Sequence, residues 1–485
     1  MNEKTKAYLL EAYEGEAQNR EKKENDPWNP GFHLSPPAGW LNDPNGLCQS
    51  GGIYHVFFQY SPQDPCGKGL RSWGHYTSCD LLNWQYRGIF LCPDEWFDRS
   101  GVYSGCGVVS GNEIFLFYTG NVKEEGTFDY ILAGRQANQV MVLQRPDGTM
   151  EKKLLLTNEN YPDNYTCHVR DPKVWKHGSS WRMILGGRKK GDRGAALLYE
   201  SEDLYCWRLK KEITSKIPFG YMWECPDVLS FGEKNFLSFC PQGISREEYR
   251  FQNVYQSGYI PLKGDIDHAL EADENCFTEW DMGFDFYAPQ TFVDQQGRRI
   301  LIGWMGLPDI EGEYGNPTVE RGWQHCLTLP RVITEKKGKL YQNPPAEFLK
   351  LRQDSYPLSE GQSVEISVPY VEGEFTELTD QPFSLVINQE VEIAWENGVF
   401  TLKFSNESGA GRKTRKAKID GLASVRVYAD SSSVEIFVND GEFVFTSRYY
   451  PESQKRQMVL EHSAGKACLW SLKPMKVCLR MEEKD

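Results

Sequence analysis

The sequence predicts an all-β protein in which a five-bladed β-propeller is followed by a C-terminal β-sandwich. Apolar hairpins recur five times before residue 303, one short motif recurs two periods apart, and shorter strands follow residue 355. A chain of 485 residues exceeds the roughly 250–300 residues at which single cores stop growing, which favours two domains. We therefore expect an N-terminal helix and lead-in over residues 1–30, a propeller over 31–343 and a sandwich over 356–485.

The N-terminal segment is predicted to form a short amphipathic helix. Tyr8, Leu9, Ala12 and Tyr13 lie at helical spacing. A charged stretch over residues 20–24 follows them, and a segment rich in Pro and Asn then breaks the pattern. The helix is expected to lead directly into the main domain.

The propeller prediction depends on five repeats of one unit, each an apolar strand, a Gly-containing turn and a second apolar or aromatic strand. Successive units begin 61, 65, 54 and 64 residues apart. The units cover residues 46–58, 107–117, 172–185, 226–239 and 290–302. This period is somewhat longer than the roughly 40–50 residues of common blades, so we expect long loops; any single hairpin fits a β-sandwich as well.

A second repeat supports the same period. The segments 78–84 and 201–207 share the pattern Ser-x-Asp-Leu-x-x-Trp and lie 123 residues apart, which is two periods. Beyond the propeller, residues 391–404 contain an Asn-Gly turn and residues 434–445 an Asn-Asp-Gly turn, both typical of tight hairpins. An antiparallel sandwich of about 120–130 residues fits these short strands.

Composition excludes several classes of function. The net charge of −14 disfavours binding to nucleic acid. The sequence contains no run of about 18 apolar residues, which argues against a membrane-spanning helix. The thirteen cysteines include no CxxC pair and no zinc-type spacing, so free thiols are the simplest interpretation. The N-terminus lacks the apolar segment of a secretory signal, and we therefore expect a cytoplasmic protein. The sequence leaves the oligomeric state open.

The candidate site lies just ahead of the hairpins, because the innermost strands of a propeller begin beside its central channel. Asp43, Asp171 and Glu224 precede the first, third and fourth units, and we expect these three carboxylates to share one structural position. Each also has a simpler interpretation: Asp43 fits a β-turn, Asp171 an ion pair with Arg170, and Glu224 a surface carboxylate. Their coincidence at equivalent places in the repeat favours a functional site.

Aromatic and polar residues near the same positions are suited to a hydroxyl-rich ligand. The candidates are Trp40, Trp73, Tyr103, Ser104, Tyr287 and Trp304. Other catalytic templates are absent, including Gly-x-Ser-x-Gly, HExxH and the P-loop. His33, His55 and His75 are interpreted as packing residues, so neither a metal nor a cofactor is expected.

These motifs resemble glycoside hydrolase family 32, the invertases, and in particular its sucrose-6-phosphate hydrolase branch. The resemblance covers nearly the whole chain. It depends on five motifs in order: Trp-Leu-Asn-Asp-Pro-Asn-Gly at 40–46, Trp-Gly-His at 73–75, Arg-Asp-Pro at 170–172, Glu-Cys at 224–225 and Tyr-Ala-Pro-Gln at 287–290. Many relatives have Phe-Ser-Gly where this chain has Tyr103-Ser104-Gly105 followed by Cys106, which leaves the subsite preference open.

The resemblance implies a role for each matching residue. Asp43 is implied to be the nucleophile, Glu224 the general acid/base and Asp171 the residue that stabilises the transition state. Asn42, Gln59, Ser104 and Arg170 are implied to bind the sugar. In retaining glycosidases the two carboxyl groups stand about 5–5.5 Å apart, so that one attacks while the other protonates the leaving group. We expect the negative charges of Asp43 and Asp171 to keep Glu224 protonated.

The expected substrate is a small sugar, sucrose 6-phosphate or sucrose, with no nucleic-acid or membrane partner. A cytoplasmic location favours the phosphorylated sugar, which requires a basic pocket; Lys68, Arg71 and the loop 188–193 are the candidates. The alternatives are an intracellular fructan exo-hydrolase, a fructosyltransferase and a fructan-binding module without catalysis.

Overall fold

In the computed structural model, which describes residues 3–269 and 271–479, helix α1 spans Glu3–Glu24. The helix is longer than the apolar pattern indicates, because the Lys, Arg and Glu residues of its second half are themselves good helix formers. It packs on the first sheet through Glu16, which is fully buried and accepts hydrogen bonds from Tyr60 at 3.1 Å and Tyr86 at 2.9 Å.

Within the described ranges the propeller segment forms five sheets, and each begins with one of the five predicted hairpins. The first sheet contains β1 (Gly39–Ser50), β2 (Ile53–Ser61), β3 (Ser72–Ser78) and β4 (Asn83–Leu91). The second contains β5 (Val102–Ser110), β6 (Glu113–Lys123), β7 (Arg135–Gln144) and β8 (Met150–Leu156). The third contains β9 (Tyr165–His177), β10 (Ser180–Lys189), β11 (Arg193–Ser201) and β12 (Arg208–Ser215). The hairpin strands pair antiparallel throughout.

The last two sheets follow the same plan with shorter outer strands. The fourth contains β13 (Met222–Phe231), β14 (Lys234–Gln242) and β15 (Gly258–Leu262), while β16 (Glu271–Ala272) adds to the third and β17 (Thr278–Glu279) to the fourth. The fifth contains β18 (Tyr287–Val293), β19 (Arg299–Met305), β21 (Cys326–Leu327), β22 (Arg331–Lys336) and β23 (Lys339–Asn343), while β20 (Trp323–Gln324) joins the first. Short 3₁₀ helices lie at Asn158–Asn160, Glu274–Cys276, Pro317–Arg321 and Ala346–Leu351.

The first strands of the five sheets contact one another in a closed ring, β1 to β5, β9, β13, β18 and back to β1. This ring is the arrangement of innermost strands around a propeller channel, and we interpret the five sheets as the five predicted blades.

The repeated Ser-x-Asp-Leu-x-x-Trp motif forms the same turn twice. In the first sheet it connects β3 to β4, and in the third it connects β11 to β12. The Ser78 hydroxyl accepts the backbone N–H of Leu81 at 2.9 Å, and the indole of Trp84 donates to the carbonyl of Leu81 at 2.9 Å. The second copy repeats both bonds, so the motif is a structural signature of the blade.

The C-terminal segment forms two six-stranded sheets that pack around one apolar core. The first contains β24 (Arg352–Leu358), β26 (Val371–Thr376), β31 (Val425–Ala429), β32 (Ser433–Val438), β33 (Phe443–Arg448) and β35 (Lys466–Leu472). The second contains β25 (Gln362–Ile366), β27 (Phe383–Ile387), β28 (Val391–Glu396), β29 (Val399–Phe404), β30 (Thr414–Lys418) and β34 (Arg456–His462). Strand β36 (Lys476–Cys478) returns to the propeller and pairs with β4.

Buried charges join the sandwich to the propeller. The guanidinium of Arg412 donates two hydrogen bonds to Asp285, both at 2.7 Å, and both side chains are fully buried. Arg331 pairs with Glu435 at 2.6 Å, also fully buried. Removing one partner of such a pair leaves an uncompensated buried charge, so these contacts fix how the two parts meet.

The predicted all-β class, a propeller followed by a sandwich, is confirmed. The three domain boundaries stay predictions, and residues 1, 2 and 480–485 of the outer two lie outside the described residues. All thirteen cysteines are free thiols. In the described part of the chain, no helix combines the length and the apolar character needed to cross a membrane.

Candidate active site

Every first strand of the five sheets contains a β-bulge at the same place. In β1, Asn42 and Asp43 together face the single residue Gln59 of β2. The corresponding bulges are at 103–104, 171–172, 225–226 and 288–289. A bulge turns side chains out of the regular alternation of a strand, and the ring of first strands brings all five bulges together.

The backbone at these bulges adopts a conformation that is uncommon for residues other than glycine. Asp171 has φ of 61°, Cys225 of 48° and Ala288 of 47°. Such strained residues persist where the surrounding structure holds them, and they cluster at functional sites.

The bulges surround one pocket of about 310 Å³, which we call the central pocket. Its lining residues are Trp40, Asn42, Asp43, Gln59, Arg71, Tyr103, Ser104, Arg135, Arg170, Asp171, Glu224, Cys225, Gln242, Tyr287, Trp304 and Pro308. Residues from all five sheets thus meet in one cavity, and the three predicted carboxylates are among them.

The expectation that the three carboxylates share one structural position is wrong in detail. Asp43 is the second residue of its bulge, Asp171 is the first residue of its bulge, and Glu224 directly precedes its bulge. Arg170 and Tyr287 occupy the same place as Glu224 in their own strands. Successive bulge positions point in different directions, so the carboxyl groups enter the pocket from different sides.

Asp43 has a partly buried carboxyl group that accepts hydrogen bonds from one amide and one hydroxyl. Asn42 donates to Oδ1 at 3.0 Å, and the Ser104 hydroxyl donates to Oδ2. Gln59 links these donors, because it accepts from Asn42 at 2.8 Å and donates to Ser104 at 2.8 Å. Burial raises the pKa of Asp43, and the two hydrogen bonds to its oxygens partly oppose that shift. This network fixes the orientation of the carboxyl group.

Glu224 is bound by three donors from three different sheets. Arg170 contacts Oε1 through Nε at 3.1 Å and Nη2 at 2.8 Å. Gln242 donates to Oε2 at 2.8 Å, and the Tyr287 hydroxyl donates to the same oxygen at 2.7 Å. The sequence-based expectation considered only negative neighbours of Glu224, and the guanidinium of Arg170 adds a positive one.

Asp171 is buried and lies within electrostatic range of the other two carboxyl groups. It accepts the backbone N–H of Cys225 at 3.0 Å, and its own N–H donates to Thr119 at 3.1 Å. Burial raises the pKa of Asp171 to about 7; the positive charge of Arg170 opposes the shift, and the negative charge of Glu224 adds to it.

The raised pKa of Asp171 predicts a pH-dependent effect on stability. Between about pH 4 and pH 7 the folded state holds this proton more tightly than the unfolded chain, so the stability that the protonated group contributes is lost as pH rises through about 7. Asp171→Asn cannot titrate and keeps an acceptor for Cys225. We expect this variant to be more stable than the parent at pH 8, by up to about 4 kcal/mol at 1.36 kcal/mol per pKa unit.

Thermal unfolding of both proteins at pH 5 and pH 8 measures this effect. The stability gap between variant and parent should narrow at pH 5, where the parent carboxyl is also neutral. A gap that stays constant or widens at pH 5 contradicts the raised pKa.

Of the twelve residues predicted for the sugar site, eleven line the central pocket and Trp73 does not. Trp73 is fully buried, and its indole donates to the backbone carbonyl of Tyr103 at 3.1 Å. The prediction that it contacts a ligand directly is therefore corrected, because Trp73 supports the bulge that carries Tyr103. His55 and His75 stack at 5.2 Å in the interior of the first sheet, away from the pocket lining.

Sequence reasoning missed Gln242 and Arg135. Gln242 ends β14 and contacts Glu224, whereas Arg135 begins β7 and lines the pocket. Both lie on the second or third strand of a sheet, away from the segments ahead of the first strands that contain the three carboxylates. Gln242 could have been found by comparison with Gln59, because both glutamines lie near the end of the second strand of a hairpin.

One group of side chains outside the pocket could place ligand atoms around a metal ion. The ligand atoms of His177, at the end of β9, and of Asp265 and Asp267, between β15 and β16, lie within 4.8 Å of one another. Asp267 already pairs with Arg182 at 2.6 Å and with Lys210 at 3.4 Å, so positive charge already occupies the position that a cation would take. No residue of this group lines the central pocket.

The pocket can support displacement at a carbon bearing two oxygens. It places one carboxyl group that is oriented by Asn42 and Ser104 near a second that is bound by neutral and positive donors. In glycosidases two carboxyl groups of this kind act as nucleophile and proton donor.

Comparison with known proteins agrees with this geometry. Residues 33–344 match the model of the glycosyl hydrolases family 32 N-terminal domain, and residues 373–476 match the family 32 C-terminal model. The chain is 40% identical to the sucrose-6-phosphate hydrolase of Bacillus subtilis over 451 residues, which covers 89% of this chain and 91% of that protein.

Two solved structures share the whole fold. The sucrose-6-phosphate hydrolase of Lactobacillus gasseri superposes with a TM-score of 0.87 at 26% identity and covers 96% of this chain and 97% of its own. A mutant of a Bombyx mori GH32 beta-fructofuranosidase in complex with sucrose has a TM-score of 0.83 at 29% identity and covers 99% and 100%. This chain therefore belongs to glycoside hydrolase family 32 and is a glycoside hydrolase.

Proposed function

We propose that the protein is a retaining β-fructofuranosidase that hydrolyses the fructosyl bond of sucrose 6-phosphate and of sucrose. The observation that carries this proposal is the convergence of Asp43, Asp171 and Glu224 from three sheets on one pocket. The relative named as a sucrose-6-phosphate hydrolase and the sucrose complex of the Bombyx mori enzyme support the choice of substrate.

Asp43 is assigned as the nucleophile that attacks the anomeric carbon of the fructosyl ring. Its donors Asn42 and Ser104 hold the carboxylate in one orientation, so little reorganisation is needed for attack. The glucosyl oxygen departs as the ester between Asp43 and the anomeric carbon forms, and the configuration of the anomeric carbon inverts. Water then attacks the anomeric carbon of this ester and inverts its configuration a second time, which gives net retention.

Glu224 is assigned as the general acid and then the general base. In the first step it gives its proton to the departing oxygen, and in the second it removes a proton from the attacking water. The Tyr287 hydroxyl and the Gln242 amide orient Oε2, while Arg170 approaches Oε1. A carboxylate formed after proton transfer is stabilised by these same donors.

Asp171 is assigned to the fructosyl hydroxyls. Its buried carboxyl group interacts with both Asp43 and Glu224, which supports a role beside the reacting ring. Hydrogen bonds to the sugar hydroxyls that strengthen in the transition state lower the barrier without covalent chemistry. Asn42, Gln59, Tyr103, Ser104, Arg170, Tyr287 and Trp304 complete the proposed sugar-binding set. The reaction requires no cofactor.

The phosphorylated substrate requires positive charge in the pocket. Of the three predicted basic candidates only Arg71 lines it. Lys68 is exposed, and within the loop 188–193 Arg188 pairs with Asp192 at 2.6 Å. A cytoplasmic location, where phosphorylated sugars are found, is part of this proposal.

Steady-state kinetics test the proposed function. We expect kcat/KM to be higher for sucrose 6-phosphate than for sucrose, and higher for sucrose than for a short fructo-oligosaccharide. Equal rates on unphosphorylated sugars would instead identify an invertase or fructan exo-hydrolase. Longer oligosaccharides at high sucrose would identify a fructosyltransferase, and no turnover on any sugar would identify a binding module.

A further inference from the structure

Two arginines in the central pocket, Arg71 and Arg135, form no salt bridge among the described residues. Arg170 pairs with Glu224, but among the described residues no carboxylate oxygen lies within 4.0 Å of a nitrogen of Arg71 or Arg135. In a protein with a net charge of −14, two guanidinium groups without a salt-bridge partner in one cavity indicate a site for an anion.

Arg135 has donors that the protein leaves unused. Its Nε is buried and has no hydrogen-bond partner. Its Nη1 lies 3.5 Å from Nε2 of His168, but that nitrogen faces the carbonyl of Tyr130 at 3.0 Å and must donate to it. The contact with His168 is therefore not a hydrogen bond for Arg135, and its guanidinium remains available to a ligand.

His168 cannot compensate this charge. Its Nδ1 accepts from Arg170 at 2.9 Å, which requires the neutral ring. Burial and the neighbouring Arg170 and Arg135 lower the pKa of His168 to about 3. The ring therefore acts as a neutral spacer between two guanidinium groups.

Arg71 is held in the pocket by neutral acceptors. It donates to the backbone carbonyls of Gly67 and Gly69 and to the hydroxyl of Ser61, and its guanidinium stacks over the ring of Trp40 at 5.4 Å. These contacts fix its position and leave its charge uncompensated. Tyr103 lies within electrostatic range of Arg71, Arg135 and Arg170, so its hydroxyl adds a neutral donor to the same cluster.

We propose that Arg135, assisted by Arg71 and the Tyr103 hydroxyl, binds the phosphoryl group of the leaving hexose phosphate. This inference rests on the proposed function. His168 contacts both Arg135 and Arg170, and Arg170 pairs with Glu224, the residue assigned to protonate the leaving oxygen. We therefore infer that Arg135 lies on the leaving-group side of the pocket. A planar guanidinium with unused donors matches phosphate geometry better than a lysine would.

The test is the kcat/KM for sucrose 6-phosphate divided by that for sucrose, in the parent and in Arg135→Gln. A charge-assisted hydrogen bond to phosphate is worth about a factor of 10–100, and we expect the ratio to fall by that amount. Arg145→Gln is the matched control, because Arg145 follows the other end of the same strand and pairs with Glu151 on the surface. This control should leave the ratio unchanged.

Calorimetric titration with glucose 6-phosphate and with glucose adds a readout that does not depend on turnover. Glucose 6-phosphate should bind more tightly than glucose to the parent, and Arg135→Gln should lose that difference. A parent that turns over sucrose without any phosphate preference overturns this inference but leaves the fructosidase assignment intact. An unchanged ratio in Arg135→Gln, or a fall in Arg188→Gln instead, assigns the phosphate elsewhere and also overturns it. Absence of turnover on both sugars contradicts the proposed function. In that case the titration alone tests whether Arg135 binds the phosphate.

Discussion

Replacing Asp43 with asparagine is expected to lower kcat for every fructoside by on the order of 10⁴- to 10⁶-fold, as loss of a covalent nucleophile does in other enzymes. Asparagine retains an acceptor for the Ser104 hydroxyl but cannot form the ester intermediate. Because burial raises the pKa of Asp43, removing its charge should not lower stability, and the melting temperature should stay equal or rise. Steady-state rates and thermal unfolding measure both effects.

The control for this variant is its activity on substrates that differ in their leaving groups. Substrates with better leaving groups should not restore turnover in Asp43→Asn, because the missing step is attack and not protonation. Turnover above about one hundredth of the parent rate on any fructoside would contradict the assignment of the nucleophile, since that loss is far below what nucleophile removal causes.

Glu224→Ala is expected to lower kcat/KM for sucrose by on the order of 10²- to 10⁴-fold, the usual contribution of a general acid/base. The loss should depend on the leaving group. An aryl fructoside, whose phenolate departs without protonation, should form the Asp43 ester at a rate close to that of the parent. Azide, which attacks without a base, should then accelerate turnover and give the β-fructosyl azide.

Glu233→Ala is the matched control for Glu224→Ala. Glu233 is exposed in the turn at the far end of the same hairpin, so its removal should change neither the rate nor the response to azide. A Glu224→Ala variant that loses equal activity on sucrose and on the aryl fructoside, without rescue by azide, would exclude Glu224 as the acid/base.

The repeat architecture could be predicted because each blade depends on a local sequence pattern. The five hairpins and the two Ser78-type turns depend on residues close together in the chain, and the structure reproduces them. The bulges could not be predicted. An extra residue in one strand leaves no mark in the alternation of apolar positions, so Asp43, Asp171 and Glu224 appeared equivalent until their pairing was known.

The site was predicted in part for the same reason. Residues beside the first strands were predicted, as were Gln59 and Trp304 on second strands. Gln242, at the end of a second strand, and Arg135, at the start of a third, lie outside the motifs and were missed. Trp73 was misplaced because a tryptophan beside a motif looks the same whether it faces a ligand or the core. Its burial and its bond to Tyr103 depend on the neighbouring sheet.

The sandwich contributes to the site indirectly. Arg412 binds Asp285, which lies two residues ahead of Tyr287, and Tyr287 donates to Glu224. The start of β18 is thus held by a side chain of the C-terminal segment. This contact gives the sandwich a physical connection to the pocket, which the sequence alone did not indicate.

The most direct test of the account is to trap the covalent intermediate. Glu224→Ala is mixed with an aryl fructoside, quenched in acid and digested, and the peptides are analysed by mass spectrometry. We expect one added fructosyl group on the peptide that contains Asp43, and no label in Asp43→Asn. A label on the peptide that contains Asp171, or its absence from both the Asp43 and the Asp171 peptides while the aryl group is released, would contradict this assignment.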